Sequence, residues 1–310
     1  MSTKPTAEEE LEELISKGTA FVNGEYCNIM EAKIPLVDLG FLHSDVCYDV
    51  VSVWKGKFFR LQDHLDRFER SYNGLHFKMP YTKEQIGEIL MEMVARSGLR
   101  DSYVYVCATR GMPLGDPKDY ANYMQMLYAF AIPFIWVSDP EEQKVGLDLI
   151  VSSIPRIPKE SVDPTIKNHH WGDLTAADFE AHEKGAKTAI LLDGKGNVTE
   201  GPGFNICMIK DGELLSPDSN VLKGITRKTI LELCEGLKIP AKLSQVPVET
   251  LRAADEIFLC TTAGGVMPVK SLDDRPVGEG KPGPITMKIH KAFWDAHDDP
   301  KYSTPVKYAD

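Results

Sequence analysis

A chain of 310 residues, 43% apolar and 26% charged, is long enough for two domains and buries roughly three-quarters of its unfolded surface. A formal net charge of -11 argues against nucleic acid as a partner, because that binding is dominated by lysine and arginine contacts. No apolar run approaches the length of about 18 residues that a membrane helix needs, and the acidic start MSTKPTAEEE has no apolar core, so neither insertion nor export is expected.

Six scattered cysteines without a CxxC pair suit reduced thiols and a cytoplasmic location, not a disulfide framework or a zinc site. Thr6 with Glu9 predicts a capping box on an acidic helix ending near Gly18, and Asn23-Gly24 predicts a hairpin turn after a strand at Ala20–Val22. His43 to Trp54 alternates into a β-branched strand, turns at Lys55-Gly56 and returns through 57–61. Asp63 is the expected cap of the next helix, whose Leu65, Phe68, Tyr72 and Leu75 form one apolar stripe with Arg67 off it. A second helix is expected from about Lys83 to Ser97, between a Thr82 cap and a Gly98 stop.

Ser102–Arg110 predicts a strand with Tyr103, Tyr105, Cys107 and Thr109 on one face. A polar loop, 111–122, leads to a long apolar strand, 123–137, interrupted at Pro133. The charged, proline-containing stretch 138–146 is the expected linker between a small N-terminal α/β domain, 1–137, and a larger C-terminal domain, 147–310. The second domain is expected to hold strands near 147–153, 188–192, 205–209, 255–260 and 266–270, and helices near 174–184, 226–235 and 285–296. Hairpins mixed with isolated helices mean α+β or mixed α/β, and not a doubly wound βαβ series.

The stretch Asp163-Pro-Thr-Ile-Lys-Asn-His-His-Trp-Gly-Asp173 places Lys167 between a short extended run and Trp171, Gly172 and Asp173, where a helix can start. Burial among such groups pushes a lysine below its usual pKa of about 10.4 and makes the amine a usable nucleophile and proton shuttle. An exposed loop lysine fits the same spacing. Leu222-Lys-Gly-Ile-Thr226 precedes a helix whose free N–H groups and dipole favour an anion, although a plain cap reads the same way. In Cys260-Thr-Thr-Ala-Gly-Gly-Val266, glycines permit close approach of a ligand and Thr261 and Thr262 add hydroxyls; a tight turn is the alternative. Two such turns suggest a phosphate held from two sides. Glu200, in Thr199-Glu200-Gly-Pro-Gly-Phe-Asn205, is a carboxylate that could hold a protonated ring nitrogen or be a simple loop charge. No GxSxG elbow, HExxH or Walker loop is present, and adjacent His169 and His170 tend to point apart, so no metal site is expected.

Together, HSDVCYDV, RLQDHLDRFERS, DPTIKNHHWGD, TEGPGFNI, LKGITRKT and CTTAGGVMP resemble the branched-chain-aminotransferase-like (fold type IV) pyridoxal-phosphate enzymes, from about Phe21 to Trp294. The Lys-Asn-x-x-Trp-Gly-Asp spelling is closest to the (R)-selective amine transaminases. The resemblance implies a two-domain fold with a pseudo-barrel C-terminal domain, pyridoxal 5'-phosphate as cofactor, and ping-pong transfer of an amino group from (R)-configured primary amines to a keto acid such as pyruvate. Lys167 would be the Schiff-base lysine, Glu200 the partner of the pyridine nitrogen, and Leu222 a contact of the ring. Arg67, Ile225, Thr226 and Thr262 would hold the phosphate. His43, Tyr48, Tyr103, Tyr105, Trp171 and Ala263 would line the substrate pockets of a homodimer with shared active sites. The alternatives are a D-amino-acid or branched-chain amino-acid transaminase and an aminodeoxychorismate-lyase-like enzyme.

The sequence also departs from the amine:pyruvate pattern. Those members usually carry a mobile arginine in the loop after the Thr-Arg-Gly strand, whereas loop 111–122 holds only Lys118, and a point charge does not replace a bidentate guanidinium fork. Tyr105 stands where many relatives have an acidic residue. Lys118, His43 and the tyrosines are then the candidate contacts for an acceptor carboxylate.

Overall fold

The computed structural model describes residues 6–308, with the backbone alone over 7–11, so the Glu9 half of the expected capping box lies outside the described residues. The chain divides into two compact units. The first holds the chain up to Ile135, the short segment Ile166–His169 and the residues from Asp299 onward; the second holds Trp136–Thr165 and His170–Asp298.

This division differs from the expected one in two ways. Residues 138–146 are not a linker: Asp139 accepts the N–H groups of Glu141 and Glu142 and starts a helix, Pro140–Val145, inside the second unit. Two pieces of the expected C-terminal domain belong to the first unit. Ile166 packs against its core, and Ser303–Pro305 pairs with Lys57–Phe59. Pairing between such distant parts of a chain leaves no local pattern to read.

The sheet of the first unit is antiparallel throughout, in the order Ser303–Pro305, Lys57–Phe59, Val46–Trp54, Ser102–Pro113, Tyr123–Pro133, Thr19–Val22 and Glu25–Asn28. Helices Leu61–Gly74 and Lys83–Ser97 set Leu65, Phe68, Tyr72, Ile86, Leu90 and Met93 in one core with Val51, Val53, Val104 and Val106. The capping box at Thr82 is formed with Gln85, and Gly98 ends that helix in the left-handed region. The preceding helix starts differently from expectation: Arg60 adopts φ 54, no side chain caps it, and Asp63 lies within the first turn as the 2.7 Å partner of Arg60 Nε. Upstream, His43 closes a short helix, Leu39–His43, instead of opening the strand. That strand is buried along all of Val46–Trp54 except its last residue, because helices cover one face and a Tyr48–Tyr105 stack fills part of the other.

The second unit is built on a mixed sheet ordered Ala241–Ser244, Glu213–Pro217, Phe204–Lys210, Glu256–Thr261, Gly265–Leu272, Leu147–Val151 and Thr188–Ile190. Leu147–Val151 runs parallel to both of its neighbours. The short strand Glu200–Gly201 pairs with Phe204–Lys210. Just past Thr188–Ile190, the Leu191 N–H donates to the Glu200 carbonyl at 3.2 Å and the Thr199 N–H to the Leu191 carbonyl at 3.0 Å. The sheet thereby closes on itself around Leu149, Ile190, Phe204, Ile206, Leu259 and Met267, as a pseudo-barrel requires. Helices Gly172–Glu183, Ile225–Leu237 and Pro284–Asp295 belong to the same unit.

Closure needs a residue without a side chain at Gly201, where a Cβ would stand 2.2 Å from Phe204 Cζ and 2.4 Å from the Ala189 carbonyl oxygen. Gly201→Ala is therefore expected to destabilise the fold by about 1–3 kcal/mol through overpacking. Urea unfolding should show a lower midpoint, and an unchanged midpoint would mean the closure tolerates a methyl group.

Candidate active site

The backbone of Lys167 is held by an open strand edge. Lys57–Phe59 pairs only with the far end of Val46–Trp54, at Val53 and Trp54, which leaves the edge at Cys47 and Tyr48 without that neighbour. Asn168 fills it as an isolated bridge to Cys47, and the Tyr48 N–H donates to the Lys167 carbonyl at 2.9 Å. The Lys167 N–H in turn reaches Ser71 Oγ at 3.3 Å. Lys167 thus lies in no strand, directly before the residue that bridges to Cys47, and it is half-buried. Its Nζ lies 4.2 Å from the centre of the Tyr48 ring.

The same unit carries Arg67, Tyr103 and Tyr105. Arg67 is buried and makes two 2.7 Å hydrogen bonds to Asp49, one from Nε to Oδ2 and one from Nη2 to Oδ1. His64 Nδ1 shares Asp49 Oδ1 at 2.7 Å. Burial alone would raise the Asp49 carboxyl, but Arg67 and His64 outweigh it and hold that carboxyl well below the usual range. Burial pushes the His64 imidazole down despite the adjacent carboxylate. Asp49 and His64 escaped the sequence reading, although both lie in its motifs, because only the fold shows that an aspartate on a strand and a histidine on a helix share one guanidinium.

Tyr105 stacks on Tyr48 and on Phe130, with ring centres 5.2 and 5.0 Å apart, and Tyr103 stacks on Phe130 at 6.4 Å. The Tyr105 hydroxyl is hydrogen-bonded to His169 Nε2, another residue the sequence reading left out of the site. Burial raises the Tyr105 phenol far above its usual value, so it stays protonated. A cavity of about 400 Å³ opens on this face, lined by Ala20, Val22, Ile34, Phe41 and Phe130 together with Tyr105, Tyr128 and His169. Its lining includes no lysine or arginine, and its buried carboxylate, Asp38, accepts from Gly40 N–H, Thr109 Oγ1 and Tyr128 Oη at 2.7–2.8 Å. Arg110, on the strand before loop 111–122, pairs with Asp45 at 2.8 and 3.2 Å and donates to the Leu75 carbonyl at 3.0 Å. Lys118 and His43 are exposed.

The second unit carries Trp171, Glu200, Leu222, Ile225, Thr226, Thr262 and Ala263. Glu200 is buried at the barrel closure. Its Oε1 accepts from Arg156 Nη2 at 3.2 Å and Nε at 3.4 Å, and its Oε2 from the Leu222 N–H at 2.8 Å and Asn205 Nδ2 at 3.4 Å. Donors on both oxygens fix the direction of the carboxylate. Ile225 and Thr226 begin helix Ile225–Leu237, whose cap, Gly224, provides no side-chain hydrogen bond. A Cβ on Gly224 would stand 2.0 Å from Asn205 Oδ1, so only glycine lets the helix start this close to the Glu200 network. Thr262 and Ala263 form the turn between strands Glu256–Thr261 and Gly265–Leu272; Thr262 is half-buried and Ala263 buried. Trp171 stands at the cap of helix Gly172–Glu183. Arg156, which no motif singled out, ties Glu200 to Asp173.

Residues 46–272 match the family model described as amino-transferase class IV. The D-alanine aminotransferase of Listeria monocytogenes is 31% identical over 277 residues, covering 88% of this chain and 93% of that protein. The chain is also similar to the crystal structure of the T.th. branched-chain amino acid aminotransferase with pyridoxamine 5'-phosphate: TM-score 0.86, 28% identity, 94% of this chain and 99% of the other. The Escherichia coli branched-chain amino acid aminotransferase superposes with TM-score 0.88 at 26% identity, over 93% and 99% of the two chains. Class IV aminotransferases work with pyridoxal phosphate, and the residues present fit it. In the second unit a buried carboxylate suits a ring N–H and a helix N-terminus without a side-chain cap suits a phosphate; in the first, a buried arginine suits a phosphate and a half-buried amine suits an aldehyde.

Asp49→Asn would leave Arg67 as a buried cation without its carboxylate and is expected to cost about 3–5 kcal/mol in urea unfolding. The sign with pH follows from the lowered carboxyl. The Asp49 contribution is fully present above its unfolded pKa of about 3.9 and fades as pH falls below that value toward the folded one. A variant as stable as the parent at neutral pH would show that Arg67 has another counter-charge.

Proposed function

The chain belongs to the amino-transferase class IV family, and from that membership we propose that it moves the amino group of (R)-configured primary amines to a keto acid such as pyruvate, in a ping-pong cycle. When bound, pyridoxal phosphate supplies an electron sink for the carbon that gives up a proton. Lys167 Nζ is the amine that would hold the cofactor's aldehyde and, as a free amine, would carry that proton. Glu200 keeps the ring nitrogen protonated. Arg67, the N–H groups of Ile225 and Thr226, and Thr262 bind the phosphate, while Leu222 packs against the ring. Tyr48, Tyr103, Tyr105, Trp171 and Ala263 shape the substrate pockets.

The observation that carries the amine reading is the cavity beside Tyr105. It has an apolar lining, a buried carboxylate and no lysine or arginine, and Arg110 nearby in sequence is engaged by Asp45. That lining suits a donor amine without a carboxylate, and the acceptor's carboxylate is left to Lys118, His43 and the tyrosines, none of which offers a guanidinium fork. A D-amino-acid or branched-chain amino-acid transaminase is the second reading, favoured by the names of the relatives in both sequence and structure. Six cysteines without disulfides suit a cytoplasmic enzyme.

A homodimer is proposed on the apolar run Met30, Ile34, Leu36, Val37, Phe41 and Leu42, which is exposed in the single chain, Leu36 by 73% and Phe41 by 60%. Exposure of this kind marks a surface that a partner covers. Exposed His43 follows directly and would reach the site of the second copy. Replacing Phe41 and Leu42 by Asp is expected to give monomers in sedimentation; a parent chain that already sediments as a monomer removes the proposal.

For the reaction itself, (R)-1-phenylethylamine, its (S) enantiomer, D-alanine and L-leucine should be added separately to the yellow enzyme. Loss of the visible band with the (R)-amine and not the (S) is expected, and Lys167→Ala should abolish it. A response to D-alanine or L-leucine alone would replace the amine reading with the second one.

A further inference from the structure

Arg156, Asp173 and Glu200 form a buried chain of charge, with side chains 8%, 7% and 9% exposed. Arg156 Nη1 donates to Asp173 Oδ2 at 2.7 Å, while its Nε and Nη2 turn to Glu200 Oε1 at 3.4 and 3.2 Å. The Asp173 contact is the shorter one, and it is braced from two sides. The Ile157 N–H also donates to Asp173 Oδ2 at 2.7 Å, and the Leu174 N–H donates to Oδ1 at 2.9 Å. Arg156 is fixed in turn by its own N–H, which donates to the Leu192 carbonyl at 2.9 Å. A guanidinium placed against a single buried carboxylate would neutralise it. Here one guanidinium faces two carboxylates, and the three groups together carry one negative charge.

We propose that Asp173 and Arg156 are positioning residues that set the charge of Glu200, so that its carboxylate still demands a proton on the ring nitrogen it faces. This rests on the reading of Glu200 given above. Arg156 aims the carboxylate and shields it from protonation; Asp173 draws the guanidinium toward itself, so that Arg156 does not replace the ring proton as Glu200's counter-charge. A buried negative charge favours a cation beside it, so the net charge of these three groups favours a cationic N–H at the position Glu200 faces. Removing Asp173 should weaken that demand and removing Arg156 should strengthen it. Opposite effects of this kind do not arise from damage to packing, which weakens binding in both variants.

The test compares how tightly the full-length protein, stripped of cofactor, rebinds pyridoxal phosphate and its 1-deaza analogue, which has a carbon in place of the ring nitrogen. Contacts to the phosphate and to Lys167 cancel in the ratio of the two dissociation constants, and what remains is the preference for a ring N–H. In the parent the ratio should favour pyridoxal phosphate, and Glu200→Gln should remove the preference. Asp173→Asn should reduce it by about tenfold, the equivalent of one pKa unit, and Arg156→Gln should increase it. Arg156→Lys keeps the charge and should stay near the parent, which leaves the test open if Arg156→Gln does not fold. If Glu200→Gln leaves the preference in place, the reading of Glu200 fails and the proposal with it. If Glu200→Gln removes it while Asp173→Asn leaves it unchanged, or Asp173→Asn and Arg156→Gln lower it together, the charge assignment alone is overturned.

Discussion

A backbone hydrogen bond, from the Tyr48 N–H to the Lys167 carbonyl at 2.9 Å, ties the candidate lysine to strand Val46–Trp54 of the first sheet. The bond is possible because the neighbouring strand Lys57–Phe59 stops short and leaves an edge at Cys47 and Tyr48. Segment 166–169 occupies that edge, so Lys167 is positioned by sheet geometry although it lies in no strand. Its amine then meets the Tyr48 ring, and the Tyr48–Tyr105–Phe130 stack continues outward along the same face. Strand edges left open are usually a hazard. Here the edge receives the segment that carries the proposed amine.

Each unit, taken by itself, holds a buried charged cluster of the same kind: a guanidinium is shared between acidic or titratable neighbours. Arg67 meets Asp49 beside His64 in the first, and Arg156 meets Asp173 and Glu200 in the second. Such clusters contribute little net stability compared with well-packed apolar residues, but breaking one of them by removing a single partner is strongly destabilising. They direct side chains. Arg67 is aimed by a bidentate carboxylate, and Glu200 by a guanidinium, a backbone N–H and an amide. Neither group has rotamer freedom to spare, which is what preorganised binding of a charged cofactor requires.

Much was legible in the sequence because it is local. The Thr82 cap, the Gly98 stop, the tyrosine face of Ser102–Pro113 and the glycine-threonine start of helix Ile225–Leu237 are each set by residues a few positions apart. The motif around Lys167 and the spelling of the flanking turns sufficed to place the chain in its family and to name its cofactor. Where local rules competed, the reading slipped. Asp63 is a good cap residue, yet Arg60 turns into the left-handed region and draws Asp63 into the first helical turn as an ion-pair partner. The stretch 138–146 has the composition of a linker, yet Asp139 and Glu142 make it a capped helix.

By itself, then, the sequence determined most of the helices and strands, which lysine and glutamate are the candidates for the chemistry of the family, and that loop 111–122 lacks an arginine. Only the tertiary structure decided how those groups are held. It brought residues 166–169 to the edge at Cys47, closed the second sheet through Leu191 and Glu200, and joined Arg156 to both Asp173 and Glu200. The reason is the same in each case. These contacts join residues too far apart in the chain for a local rule to couple them, and their favourable energy arises only after the fold has met the entropy of bringing distant segments together. No periodicity, cap or turn signal in the chain records that juxtaposition.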